Sequence, residues 1–342
     1  MGIKRIPDAG LECQAQRPAG EMKPRPLLLF GLLITLMGIV SYVFAVLLAS
    51  VLALNGRAPV VKDVVLLAPG IGVWVGVVLA SLDLFVLLPT KRLRRSVAFD
   101  PPKLGRLTVV LTAYNDEPSI GLAVADFLSH PFVRRVVVVD NGSTDRTRDV
   151  AEQNGAIVVT EMKRGYGSCV YRALQEGASY DDTALTLLCE GDMTFRAYDT
   201  DKFMAYIAHA DIVNGSRIAE QLRERDTQLT TFMYYGNFFV GKLLEAKHLG
   251  KGTFTDVGTT YKLCRNEKLR ELLPLLNAAI NLEFNAHFLD AALTHGFRLL
   301  ECPVTFHDRI GYSKGGNTSN YRAFTVGIRM IVGIVFSWRW LD

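Results

Sequence analysis

The chain has 342 residues, 49% hydrophobic and 21% charged, with a formal net charge of +4 and a mean hydropathy of +0.20. That length holds one large domain and an appendage, the hydropathy calls for a membrane component, and the charge is too slight to imply nucleic acid. Five scattered cysteines (Cys13, Cys169, Cys189, Cys264 and Cys302) include no Cys-x-x-Cys pair, which argues against a zinc site and a disulfide framework and fits a reducing, cytosolic compartment.

Residues 1–25 are polar and contain Pro and Gly, the composition of a disordered tail. Residues 26–90 read as a transmembrane hairpin, with spans at about 27–54 and 64–88, both long enough to cross a bilayer with some tilt. Lys4, Arg5, Arg17, Lys23 and Arg25 precede the first span and Lys91, Arg92, Arg94 and Arg95 follow the second, whereas the connecting turn has only Arg57 and Lys62. The positive-inside rule therefore puts both outer ends, and the tail, in the cytosol. Gly72 and Gly76 make a small-xxx-small pair suited to close helix packing. Asp83, about two turns from the Lys-Arg cluster, reads as a structural carboxylate near the interface.

A linker with Pro101-Pro102 occupies 91–106, and the soluble domain is expected at 107–318. Apolar strands at 107–112, 136–140, 157–160 and 184–189 alternate with helical patterns at 119–129, 144–153, 168–176 and 199–209. Near-continuous apolar strands alternating with helices predict an α/β fold, a parallel sheet covered on both faces, with ligands gathering beyond the carboxyl ends of its strands. The second half is less regular: a short strand at 212–214, a helix near 230–246, a strand-like run at 254–263, a helix at 283–294 and a last strand at 298–304. Residues 319–342, apolar but carrying Arg322, Arg329 and Arg339 and ending in Trp338 and Trp340, suit an amphipathic interfacial helix.

Polar clusters follow three of the strands. The first is Tyr114-Asn115-Asp116-Glu117, where Glu117 reads equally as a ligand contact or as first-turn helix charge. The second is Asp140-Asn141-Gly142-Ser143-Thr144-Asp145, where capping explains the Ser-Thr-Asp part and leaves Asp140 to accept hydrogen bonds from a nucleobase or ribose. The third is Glu190-Gly191-Asp192, two carboxylates one residue apart that can place oxygens around a hard cation such as Mg²⁺ or Mn²⁺. After the last strand, Arg309, Ser313 and Lys314 lie within six positions, a planar fork, a hydroxyl and a point charge suited to phosphate oxygens.

These blocks, with Ala210–Arg217, Tyr235-Gly236-Asn237, Thr255-Asp256-Val257-Gly258, Glu283-Phe284-Asn285 and Arg309-Ile310-Gly311-Tyr312-Ser313-Lys314, stand in the order seen in family 2 glycosyltransferases. The series resembles the branch typified by dolichyl-phosphate mannose synthase and bacterial polyprenyl-phosphate sugar synthases, over about 107–314. The sequence departs from that pattern in Glu190, where the family's metal motif usually has Asp, and in an N-terminal rather than C-terminal anchor.

The resemblance implies a GT-A fold, a Rossmann-like and mostly parallel sheet flanked by helices, and transfer of a sugar, with inversion, from a UDP- or GDP-linked donor to a polyisoprenyl phosphate at the cytosolic membrane face. It implies that Glu190 and Asp192 hold Mg²⁺ or Mn²⁺, and that Tyr114, Asn115, Glu117 and Asp140 bind the donor nucleoside. Arg217, Arg309, Ser313 and Lys314 would grip the phosphates, and Asp256 and Glu283 would contact sugar hydroxyls or orient the cations. A homo-oligomer is compatible with the sequence. Rival readings are a polysaccharide synthase, transfer to a neutral glycolipid with Asp256 as base, and a non-catalytic nucleotide-sugar-binding scaffold.

Overall fold

The structure is a computed structural model that describes residues 26–54, 61–91, 99–102, 105–219, 222–224, 227, 229–311 and 320–338. Helix α1 (Leu27–Leu54) pairs with α2 (Val61–Ser81), which continues through a π-helical segment (Leu82–Leu87) into the short α3 (Leu88–Lys91). Two stretches, Leu27–Val51 and Pro69–Lys91, are long and apolar enough to cross a membrane. Their contact is made by small residues: a Cβ on Gly76 would lie 2.3 Å from Thr35 Oγ1 and 2.6 Å from the Gly31 carbonyl. Only glycine at these positions allows the two backbones so close. Asp83 is buried in the π segment, accepts a hydrogen bond from Leu28 N (2.7 Å) and lies 2.5 Å from Lys91 Nζ. Its carboxylate thus meets one of the orphan donors at the start of α1, a structural task.

The soluble domain is built on a seven-stranded sheet of order β3-β2-β1-β4-β6-β5-β7. Its strands are β1 (Leu107–Ala113), β2 (Val133–Asp140), β3 (Ile157–Thr160), β4 (Leu185–Glu190), β5 (Ile212–Ser216), β6 (Lys262–Arg265) and β7 (Leu299–Pro303). Its helices are α4 (Glu117–Leu128), α5 (Thr147–Gln153), α6 (Tyr166–Ser179), α7 (Thr200–Ile207), α8 (Thr231–Lys247), α9 (Asn266–Leu272), α10 (Phe284–Thr294) and, at the end, α11 (Asn320–Phe336).

Side chains alternate faces along a strand, so a run with no polar gap must be covered on both sides. Val109, Leu111, Val136 and Val138 pack with α4 and α7 through Ile120, Phe127, Phe203 and Ile207. Val110, Val137 and Val139 face the opposite way, onto Val170 and Leu174 of α6 in a core that extends to Phe284 and Phe288 of α10.

The sheet is mostly parallel, as expected, with one strand reversed. β6 runs antiparallel to both β4 and β5, with Lys262 opposite Leu188 and Asn214. After β5 the chain does not cross back to the amino end of the sheet, so it re-enters from the carboxyl edge. Of the strand-like run 254–263 only Lys262 and Leu263 join the sheet, as the start of β6; the residues before them form a loop at that edge. Asp256, Gly258 and Thr260 are thereby delivered beside the end of β4.

Candidate active site

Three strand ends and two loops converge at the carboxyl edge. Glu190 closes β4, and its Oε1 accepts a hydrogen bond from Thr260 Oγ1 (2.6 Å). Thr260 also bonds the Tyr166 hydroxyl, which accepts from Asn285 Nδ2 (2.8 Å). Asp192 is buried, and its Oδ1 accepts from Thr194 N (3.0 Å) and Thr194 Oγ1 (2.6 Å). Its Oδ2 makes no hydrogen bond, and the Arg309 guanidinium stands 3.2 Å away and 3.6 Å from Asp116 Oδ1. Burial, and then the Glu190 carboxylate, push Asp192 up to about 6 against the opposing pull of Arg309 and Thr194.

An orphaned buried carboxylate oxygen next to a second carboxylate is a donor set that fits a hard divalent cation. The protein offers a pair of oxygens there and not a cage: among the described residues no group of three or more His, Cys, Asp or Glu side chains is placed to hold an ion. Diphosphate oxygens and water would have room in the remaining coordination positions.

Asp256, at the edge loop, is fully buried and accepts four hydrogen bonds: Arg217 N (3.0 Å), Arg217 Nε (2.7 Å), Arg217 Nη2 (2.8 Å) and Gly258 N (3.1 Å). Burial pulls its carboxyl up, but the Arg217 guanidinium outweighs this and holds it below the ordinary carboxylate range. Asp256 therefore orients a cation, and Arg217 presents the rest of its guanidinium to the cavity. Beneath it, Glu301 of β7 accepts from Thr255 N (2.9 Å), Thr255 Oγ1 (2.7 Å) and Asp256 N (3.1 Å), fixing the loop. A carboxylate inside the apolar run Leu299-Leu300-Glu301-Cys302-Pro303-Val304 was a legible signal of such a buried partner.

Lys262, also absent from the sequence-based candidates, is fully buried, donates to the Thr259 carbonyl and, at 3.2 Å, to Asn285 Oδ1. Burial pushes its ammonium down to about 7.

The first two clusters are knitted to each other. Both oxygens of Asp140 accept from Ser143 N (3.2 and 3.3 Å), Asn115 Oδ1 accepts from Thr144 N (2.7 Å) and Glu117 Oε2 accepts from Arg146 N (3.0 Å). Tyr114, Asp116, Asn141 and Arg164 face the cavity, with Glu190, Asp192, Arg217 and Arg309. Nothing in the sequence sets Asp116 apart from Glu117 beside it, and the fold decides that Asp116 faces the cavity. Glu283 precedes α10, buried, with Oε1 3.5 Å from Arg329 Nη1 of α11, and does not reach the cavity. The loop bearing Arg309 is tied down by Ile310 N donating to the Asp192 carbonyl (3.1 Å) and by His307, whose ring spans Tyr198 Oη and Glu224 Oε1 at 2.7 Å each. Ser313 and Lys314 lie outside the described residues.

The cavity measures about 1220 Å³ and has two chemically distinct ends. Its head is the acidic pair with its arginines. From there it runs between α8 and α11, along Phe232, Tyr235 and Phe239 on one side and Phe324, Ile328 and Ile331 on the other.

Residues 108–273 match the family model for glycosyl transferase family 2. The chain carries a glycosyltransferase family 2 domain. This glycosyltransferase is 29% identical over 209 residues to a dolichyl-phosphate hexose transferase of Haloferax volcanii, covering 61% of its own length and 86% of the relative. It is 38% identical over 112 residues to an uncharacterized glycosyltransferase of Mycobacterium tuberculosis, covering 32% of its own length and 48% of that relative. The fold is that of the GT-A glycosyltransferases. Glucosyl-3-phosphoglycerate synthase from Mycobacterium tuberculosis, crystallised with Mn²⁺, UDP and phosphoglyceric acid, superposes with a TM-score of 0.50 at 16% identity, over 72% of the enzyme and 88% of the synthase.

Proposed function

We propose that the enzyme transfers a sugar, with inversion, from a UDP- or GDP-linked donor to a polyisoprenyl phosphate at the cytosolic face of a membrane, where the α1–α2 hairpin anchors it. The observation that carries this reading is the shape of the cavity: an acidic and cationic head opening into an apolar groove between α8 and α11. At about 1220 Å³ it exceeds the roughly 300–1,000 Å³ of ordinary small-molecule pockets, leaving room for a nucleotide sugar and the first part of a lipid tail. A soluble acceptor would need no such groove. The relative named for dolichyl-phosphate hexose transfer supports the same acceptor class.

In this mechanism Tyr114 and Asp116 line the donor end, and Asn115, Glu117 and Asp140 stiffen the loops against which the nucleoside lies. Glu190 and Asp192 would hold Mg²⁺ or Mn²⁺, whose charge offsets that of the departing diphosphate. Arg309 grips phosphate oxygens, a role the sequence also offers to Ser313 and Lys314, and Arg217 is aimed by Asp256. A phosphate oxygen of the acceptor attacks the anomeric carbon opposite the leaving group, the bond from that carbon to the β-phosphate oxygen breaks, and nucleoside diphosphate departs.

The attacking oxygen is already anionic near neutral pH, so no general base is required. Transfer to a neutral lipid hydroxyl would need one, and Asp256, saturated by four donors and held below its ordinary pKa, is poorly suited to that task.

The test is a donor and acceptor screen in nanodiscs with Mn²⁺. Formation of a prenyl-phosphate-linked sugar, with release of UDP or GDP, is expected; glycosylation of a neutral glycolipid with none of a prenyl phosphate would overturn the acceptor assignment.

A further inference from the structure

Helix α11 forms one wall of the apolar groove, yet its hydrophobic footing is thin. Of its 17 residues only Met330, Gly333 and Ile334 are buried, while Tyr321, Phe324, Ile328 and Phe336 are exposed. Its ion pair with Glu283, just before α10, is long at 3.5 Å and its arginine is largely exposed. What holds the helix lies at its far end.

There, Asp290 of α10 is 2% exposed and takes donors from two other segments. Lys247 Nζ, at the end of α8, reaches Oδ2 at 2.8 Å, and His248 Nε2 lies 2.6 Å from Oδ1. Trp338 Nε1, just past α11, donates to Oδ2 at 2.8 Å. The same Lys247 ammonium donates to the Ile334 carbonyl (2.6 Å), one of the carbonyls left open where α11 stops. Ser337 and Trp338 both adopt positive φ (58° and 63°), which turns the chain back so that Trp338 N donates to the Gly333 carbonyl (2.9 Å). The indole then lies on Gly333, where a Cβ would come within 2.3 Å of the ring, and against His287, 5.1 Å between ring centroids. Two consecutive non-glycine residues in the left-handed region persist only where surrounding contacts over-determine them. Here those contacts are a buried ion pair, an indole hydrogen bond and a glycine cradle.

We propose that Asp290, Lys247 and Trp338 form a latch that fixes α11 against α8 and α10, and that they are positioning residues for acceptor binding. None of the three lines the cavity. They act through α11, which supplies Phe324, Ile328 and Ile331 to the groove. The kinetic half of this proposal rests on the groove being the acceptor-tail site; the structural half does not.

Asp290→Asn would leave the Lys247 charge buried without its counter-ion and threaten the fold, so the test uses Trp338→Ala and Trp338→Phe in the whole chain in nanodiscs. Hydrogen exchange in Trp338→Ala is expected to rise about tenfold or more across 320–336 and to stay unchanged across β1, β2 and β4. KM for a long-chain prenyl phosphate should rise about tenfold, with kcat within twofold, the KM for a short-chain prenyl phosphate little changed and the Kd for nucleoside diphosphate unchanged. Trp338→Phe, which keeps a ring on Gly333 but lacks the indole N–H, should restore part of both effects.

Unchanged exchange across 320–336 in Trp338→Ala would overturn the latch. Equal rises in KM for long and short acceptors, or a fall in kcat alone, would overturn its role in positioning. If the wild-type enzyme used no prenyl phosphate, the acceptor assignment would fall, and the exchange measurement would still decide whether the latch exists.

Discussion

Asp256→Asn removes one charge and almost no volume, and it separates two roles for this carboxylate. In the structure Asp256 receives Arg217 in a two-pronged geometry, Nε at 2.7 Å and Nη2 at 2.8 Å, with both side chains buried. An amide can accept at one prong but not both, and the guanidinium loses its counter-charge where water cannot replace it. Breaking a buried pair from one side costs about 3–5 kcal/mol. For a domain of this size, each 1 kcal/mol moves Tm by roughly 2–4 °C, so a fall of about 10 °C is expected in a thermal scan of the detergent-solubilised protein. Activity should fall with it, through weaker binding of the phosphate-bearing partners as Arg217 loses its aim. Arg217→Lys, which cannot reproduce the fork, should share part of both losses. A general base behaves otherwise. Were Tm to stay within about 2 °C while kcat dropped about a thousandfold at unchanged KM, the anchoring argument would be refuted and base catalysis favoured.

Asp192→Asn should reduce kcat/KM by about a hundredfold or more and abolish the response to added Mn²⁺, because the orphaned Oδ2 loses its charge. Wild-type rates in Asp192→Asn with chelator present would exclude an ion at this pair. Arg309→Ala should lower kcat/KM for a prenyl phosphate about a hundredfold, yet leave Mn²⁺ binding without nucleotide unweakened or tighter, since the guanidinium 3.2 Å from Asp192 competes with the ion. Weaker Mn²⁺ binding in that variant would contradict this geometry. His287 supplies the pH dependence. Burial pushes it down to about 4, whereas an unfolded histidine titrates near 6.5. The unfolded state therefore takes up the proton first, so the stability due to neutral burial is complete above about pH 6.5 and is lost as pH falls toward 4, about 3 kcal/mol in all. Stability measured from pH 7 to 4.5 should fall more steeply for the wild type than for His287→Gln; parallel curves would remove His287 as the cause.

Much of the frame was legible without coordinates. The runs at 107–112, 136–140 and 184–189 became β1, the core of β2, and β4 because strands covered on both faces carry no alternation to mislead the eye. The helix Tyr166–Ser179 begins two residues before the helical pattern at 168–176, because Gly167, where a Cβ would meet the Ile280 carbonyl, lets it start against the 280–281 loop. The pair Glu190 and Asp192 and the cation Arg309 were identifiable because charged groups at strand ends are costly unless they serve a ligand or one another. That they lie 3.2 Å apart across more than a hundred residues was not.

By itself, then, the sequence determined the elements, the two long apolar N-terminal helices, the alternation of strand and helix that sets β1, β2 and β4 side by side, and the acidic and basic groups placed at the strand ends. These are local properties of composition and period. Tertiary structure alone decided the antiparallel entry of β6, which brings Thr260 to Glu190 and Asp256 to Arg217. It also decided that Asp290, Lys247 and Trp338 meet, and that α8 and α11 face each other across a groove. The reason is that burial and pairing depend on which distant segments are brought together, and a lone Lys262 in the sequence carries no mark of Thr259 and Asn285, the partners it meets.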